Sequence, residues 1–346
     1  AVPGFHTPVA PSVFLPPCPG VYCPAENRAV VNDATIPEPG DLIADKYEIE
    51  SILGMGGMGA VFSAMNKQTG KRFAIKWLLP DVSGDEQAVQ RFTREARLGG
   101  RIEHANVVAV YDIGEHRGSF YMVMELLRGE SLSAFLKREG RIRPVRAVQL
   151  MIGVLRGVEA AHRLGIVHRD LKPDNIFLSL GPEGDVARPK VLDFGISKMP
   201  LAKGSSSLTI TGTVMGSPAY MSPEQIQNSQ SVDPRTDVWS LGVILYKALS
   251  GQLPYSAESP TALFVKICTT DPEPLERARP GLPADLNTAV SRCLKRDPAE
   301  RFKDANELYT SISQVMEAGG TIAKEPLPAA KPPSPPAASP APSPDP

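Results

Sequence analysis

Apolar and polar positions first alternate with a period of two, from Tyr47 to Trp77. Tyr47-Glu-Ile-Glu-Ser-Ile-Leu is followed by glycines, by Ala60-Val-Phe-Ser-Ala-Met, by a turn at Asn66 to Gly70, and by Arg72-Phe-Ala-Ile-Lys-Trp. Period-two alternation broken by glycine-rich turns predicts an antiparallel meander. Over 85–103 the period changes, with Val89, Phe92, Ala96 and Ile102 spaced to share one buried face of a helix. Strand-like sequence returns at Val107 to Tyr111 and Ser119 to Met124. Beyond Ser131 the helical period dominates, over 144–164, 237–250, 260–268, 285–294 and 304–317. The pattern predicts an α+β chain with two lobes, a small antiparallel-sheet lobe and then a larger helical one, and no internal repeat.

Proline sets the outer limits. Of 35 prolines, nine lie in residues 1–40 and ten in 326–346, and such segments form neither ladders nor helices and bury little. The expected organisation is a Pro-rich disordered segment over 1–40, a folded domain over 44–317 divided into lobes at 44–127 and 128–317, and a disordered tail over 318–346.

With 37 basic and 38 acidic residues the formal net charge is -1, so there is no overall basic footprint and no nucleic acid is expected as partner. No apolar run is long enough to span a membrane. Cys18, Cys23, Cys268 and Cys293 are too sparse for a disulfide framework, which favours a reducing, cytoplasmic compartment. Cys18 and Cys23 read as two free thiols, or as half of a metal site that needs ligands from elsewhere.

Three segments carry chemistry. The run Leu53-Gly54-Met55-Gly56-Gly57-Met58-Gly59-Ala60-Val61 holds glycines in G-x-G-x-x-G spacing, which lets backbone N–H groups approach phosphates with no Cβ in the way. A dinucleotide-binding loop would pass directly into a helix, whereas here a strand follows. Lys76 ends the next strand, where its ammonium reaches toward phosphates, and a lysine in a cleft needs a carboxylate to hold it. Glu95 on the following helix is well placed for that, with Glu86 as competitor. The second segment, His168-Arg169-Asp170-Leu171-Lys172-Pro173-Asp174-Asn175, is the most specific. Phosphoryl transfer requires in-line positioning and charge neutralisation, for which a loop offers the Asp170 carboxylate to an attacking hydroxyl, Asn175 to Mg²⁺ and Lys172 to the γ-phosphate. The third is Asp193-Phe194-Gly195, an acidic metal ligand at a strand end.

Together these residues resemble the Hanks-type protein kinases, and among them the bacterial serine/threonine kinases, over roughly 44–317. Further matches are Ser222-Pro-Glu224, Asp237-Val-Trp-Ser-Leu-Gly242 and Arg301. The resemblance implies a bilobal kinase fold and transfer of the ATP γ-phosphoryl group to Ser/Thr hydroxyls of proteins, with Mg²⁺ or Mn²⁺ held by Asn175 and Asp193. It implies that Met124 is the gatekeeper, that the backbone of Glu125 and Leu127 binds adenine, and that Leu53, Val61, Ala74 and Phe177 sandwich its ring. Glu130 would take the ribose hydroxyls and Ser217 would face the acceptor. Glu224 would pair with Arg301, Asp237 would brace the catalytic loop, and Arg169 would bind an activation loop phosphorylated at Thr211 or Thr209 by a second copy of the chain.

Departures from the family pattern are Ala105 in place of proline in His104-Ala105-Asn106, Ser217 in place of threonine, a long hairpin over 179–190, and Gly99 where a larger side chain is usual. Ala105 and Gly99 are expected to loosen the small lobe and weaken basal activity. The alternatives are a pseudokinase, which would have lost one of the required Lys, Asp or Gly positions, and a tyrosine kinase, which would carry different residues after Asp170.

Overall fold

The structure, a computed structural model, describes residues 36–57, 59–181, 187–194, 218–228 and 232–318. Its first lobe is a six-stranded antiparallel sheet in the order β1-β2-β3-β4-β6-β5. The strands are β1 (Leu42–Ile43), β2 (Tyr47–Met55), β3 (Gly59–Asn66), β4 (Arg72–Leu78), β5 (Val110–His116) and β6 (Ser119–Glu125). Alternation along β2 and β3 puts Ile49, Phe62 and Ala64 on one face, where they pack with Trp77, Tyr121 and Val123. β1 joins this sheet just ahead of residue 44, where the sequence pattern starts the domain, and it buries Ile43.

The short helix α1 (Pro80–Ser83) leads into α2 (Glu86–Gly99). The Asp85 side chain accepts the Gln87 N–H and so caps α2. Ala88, Phe92, Ala96 and Gly99 form the helix's buried face. The gap expected at Gly99 is closed: a Cβ there would lie 3.0 Å from Val110 Cγ2, so the valine already fills the space. Sequence alternation suggested a strand over Val107 to Tyr111. Instead, residues 107–109 run as a connector sewn to the second lobe, with Val108 N–H donating to the Val191 carbonyl and Val191 N–H to that of Asn106. Pairing with β6 begins only at Val110.

The second lobe begins with β7 (Gly129–Ser131), α3 (Leu132–Glu139) and α4 (Pro144–Arg163). β7 forms a three-stranded antiparallel sheet with β8 (Ile176–Leu180) and β9 (Ala187–Val191). The hairpin read over 179–190 is thus the β8–β9 unit. Then come α5 (Pro223–Gln227), α6 (Pro234–Ser250), α7 (Pro260–Thr269), α8 (Leu275–Ala278), α9 (Ala284–Cys293) and α10 (Ala305–Ala318). α6 starts one turn ahead of the apolar period because Asp233 caps it and Pro234 occupies its first position. Nearly every residue of α6 is buried, so this helix is the axis on which the lobe is built. α4 lies close against residue 106: a Cβ on Gly157 would lie 2.6 Å from the Asn106 carbonyl oxygen. Among the described residues no helix is long and apolar enough to cross a membrane.

Candidate active site

The glycine run forms the turn between β2 and β3. Gly59 has to be glycine, because a Cβ there would fall 2.5 Å from the Trp77 carbonyl oxygen. Leu53 and Met55 are exposed on this edge, Gly54, Gly56 and Gly57 carry no side chain over it, and Met58 lies outside the described residues. Val61 pairs directly with Lys76 across β3 and β4, and Ala74 with the candidate gatekeeper Met124 across β4 and β6. This register brings Val61, Ala74, Lys76 and Met124 to one face of the sheet, opposite the face that packs Ile49, Phe62 and Trp77. Phe177, on β8, pairs with Lys190 below them.

Lys76 is the centre of a three-membered charge network. Its Nζ donates to Glu95 Oε1 at 2.7 Å and lies 3.0 Å from Asp193 Oδ1. Burial alone would lower the Lys76 pKa, but the Asp193 and Glu95 carboxylates outweigh it and hold it above its ordinary value. Burial and the nearby Asp193 charge push Glu95 up to about 7, despite Lys76. For Asp193 burial is outweighed by Lys76, which holds this carboxyl below its ordinary range. One cation therefore serves two carboxylates, of which Glu95 is raised and Asp193 lowered. Glu86, the other carboxylate weighed for Lys76, instead accepts from Gln90 on the exposed side of α2.

The catalytic loop is held from beneath by Asp237. Its Oδ2 accepts the His168 N–H at 2.8 Å and its Oδ1 the Arg169 N–H at 2.9 Å. His162 Nε2 lies 2.8 Å from Oδ2, and Ala305 N–H donates to His162 Nδ1, which places the ring proton on Nε2, facing the carboxylate. Burial alone would raise Asp237, but the hydrogen bonds from the His162 ring and the His168 N–H outweigh it and hold this carboxyl below its ordinary range. Arg169 has φ 67° and Asp193 φ 43°, a left-handed backbone that side chains rarely adopt and that is held here by the surrounding bonds.

His168 is buried, donates from Nε2 to the Leu192 carbonyl at 2.9 Å, and packs on Phe194 with ring centroids 4.8 Å apart. These contacts join the catalytic loop to the residues around Asp193. Within the loop, Asn175 Nδ2 donates to the Asp170 carbonyl at 2.8 Å, a bond in which Asn175 Oδ1 takes no part. Lys172 Nζ stands 3.3 Å from Asp170 Oδ2. Asp170, Lys172 and Asn175 thus come together on one loop, and the Leu192 N–H donates to the Asn175 carbonyl at 2.9 Å, which ties that loop to the backbone beside Asp193. The side-chain oxygens of Asn175 and Asp193 suit a hard divalent ion such as Mg²⁺.

Not every expected residue stands free. Glu130 accepts two bonds from Arg138 Nη1, at 2.6 and 2.7 Å, so its carboxylate is already engaged. Glu125 N–H donates to the Ala109 carbonyl, while the Glu125 side chain binds Lys190 Nζ at 2.7 Å. The Lys190 contact was missed in the sequence, because a lysine in an alternating strand carries no sign of a partner 65 residues away. Glu224 and Arg301 pair as expected, at 2.8 Å through both guanidinium nitrogens. Gly195, Thr209, Thr211 and Ser217 lie outside the described residues.

Comparison with known proteins agrees with this geometry. The family model described as "Protein kinase domain" matches residues 47–314. A probable serine/threonine-protein kinase of Clostridium acetobutylicum is 36% identical over 276 residues, 80% of this chain and 41% of that protein. Serine/threonine-protein kinase PknB of Mycobacterium tuberculosis is 36% identical over 277 residues, 79% of this chain and 43% of that protein. For pkn2 of Myxococcus xanthus the identity is 37% over 302 residues, covering 84% and 36%. The chain thus spans less than half the length of each of these relatives. Among solved structures, the Mycobacterium tuberculosis PknI kinase domain superposes with a TM-score of 0.62 at 24% identity, over 81% of this chain and 99% of that one, a likeness of fold.

Proposed function

Because the chain belongs to the protein kinase domain family, we propose that it transfers the γ-phosphoryl group of ATP to serine and threonine hydroxyls of proteins. The observation that carries this reading is the set of Asp170, Lys172 and Asn175 on one loop, bonded through Leu192 to the strand end that gives Asp193 to the Lys76–Asp193–Glu95 network. Adenine sits between Leu53, Val61 and Ala74 above and Phe177 below, against the backbone of Glu125 and Leu127. Lys76, held by Glu95, binds the α- and β-phosphates. The acceptor oxygen attacks the γ-phosphorus, the bond to the bridging β-phosphate oxygen breaks, and the hydroxyl proton passes to Asp170. Lys172 neutralises charge on the transferred group, and Asn175 and Asp193 would hold Mg²⁺ or Mn²⁺, which supplies further neutralisation at the phosphates.

Self-activation by a second copy of the chain belongs to the same proposal. Arg169 Nη1 is buried with no hydrogen-bond partner among the described residues, and a guanidinium so placed suits a phosphate on Thr211, with Thr209 as second site. ATP as co-substrate and two thiols, Cys268 and Cys293, in no disulfide suit a reducing, cytoplasmic setting.

Incubation of the chain with labelled ATP, Mg²⁺ and a generic protein acceptor, followed by phosphoamino-acid analysis, tests the reading. Phosphoserine and phosphothreonine are expected, and predominant phosphotyrosine would refute it. For self-activation, the initial rate should rise more than linearly with enzyme concentration and should fall in Thr209→Ala/Thr211→Ala; wild-type activity in that variant would exclude the switch.

A further inference from the structure

Away from the cleft, the large lobe holds a cavity of about 530 Å³ between the end of α6, the segment after α7, and the end of α9. Leu275, Val290 and Leu294 give it an apolar floor. Tyr246 also lines it, at 1% exposure, and its hydroxyl has no hydrogen-bond partner among the described residues. A buried hydroxyl beside a cavity calls for a polar group from whatever fills that cavity.

The rim is acidic. Asp271, Glu273, Asp297 and Glu300 line it against the two cations Lys295 and Arg296. Arg296 is committed to Asp271 at 3.1 Å, and Asp297 accepts the Ala299 N–H. Glu273 and Glu300 are exposed and, among the described residues, make no ion pair. An apolar floor, a buried hydroxyl and unpaired carboxylates complement one chemistry, a cation carried on an apolar stem.

Resting on the kinase reading above, we propose that this cavity docks a basic, amphipathic segment of the protein substrate. A lysine or arginine of the segment sits between Glu273 and Glu300, a neighbouring apolar side chain lies on Leu275 and Leu294, and a backbone group of the segment bonds the Tyr246 hydroxyl. The position suits substrate capture. α7, which leads into the 271–275 wall, packs on α5 and on the 218–220 turn, and that turn directly follows Ser217, the residue expected to face the acceptor.

Fluorescence anisotropy with a labelled peptide of alternating Lys and Leu, which has no phosphorylatable residue, measures docking on the full chain without turnover. Binding should weaken at least about fivefold in Glu273→Gln/Glu300→Gln and about twofold in Tyr246→Phe, and a Glu/Leu peptide should not bind. In kinetics, the double variant should raise KM for a basic protein substrate at unchanged kcat, and leave a short neutral acceptor peptide unaffected. Equal peptide affinity in wild type and both variants would overturn the proposal and leave the cavity to water. Absence of turnover on any substrate would instead break the kinase reading, with the anisotropy still deciding the docking site.

Discussion

Two polar networks hold the cleft, and they are built on opposite plans. Below the catalytic loop, Asp237 receives two backbone N–H groups and the His162 ring, and Glu224 is matched by both nitrogens of Arg301. Each charge there has its donors. In the upper network one cation, Lys76, is shared by two carboxylates, Glu95 and Asp193, so its charges are not matched one to one. A satisfied network makes a rigid support. An unbalanced one stays responsive to ligand, and the comparison separates what the protein needs to fold from what it needs to act.

The largest effect is expected at the upper network. Lys76→Met should lower kcat/KM about 100-fold or more by removing the phosphate cation, with the unfolding midpoint nearly unchanged. Loss of fold together with activity would merge the two networks into one. Asp237→Ala should do the reverse and cost about 3–5 kcal/mol of stability in urea titration, because buried donors lose their only acceptor; a change under about 1 kcal/mol would contradict the support role.

Acid dependence sharpens the contrast. Glu95, whose usual pKa of 4.5 rises to about 7 in the folded chain, binds an extra proton in the native state between those values. Its contribution to stability is therefore present in full below 4.5 and lost as pH rises through about 7. In thermal unfolding without nucleotide, Glu95→Gln should flatten that decline across the window, and an unchanged slope would mean that the excess proton lies elsewhere. The smallest effect is expected at the exposed Glu130–Arg138 pair. Arg138→Ala should shift stability by less than about 1 kcal/mol, measured by urea titration.

Much of this was legible in the chain. Period-two alternation located β2 to β4, and the spacing of Phe92 and Ala96 located α2, because the buried face of each element is written locally. Asp170, Asn175 and Asp193 could be picked out as candidates because a carboxylate and an amide on one short loop, with an acidic residue at a nearby strand end, are the groups phosphoryl transfer uses. The connector at 107–109 was not, since Val107 and Val108 suit a strand but are engaged by Val191 from the other lobe. Nor were the Lys190–Glu125 and His162–Asp237 contacts, or the filling of the Gly99 gap by Val110, because each joins residues far apart in sequence. Glu130 was read as free for ribose, and local pattern gave no sign that Arg138, one helix later, engages it.

The central claim is that the Asp170 carboxylate acts on the hydroxyl proton while the rest of the site only binds and positions. Asp170→Asn keeps the side chain's size, exchanges one acceptor oxygen for a donor amide and removes the base. In single-turnover transfer of labelled phosphate at saturating ATP and Mg²⁺, the account predicts a rate at least about 100-fold below wild type with ATP affinity within about twofold. Transfer at the wild-type rate in Asp170→Asn, with ATP bound equally well, would contradict it.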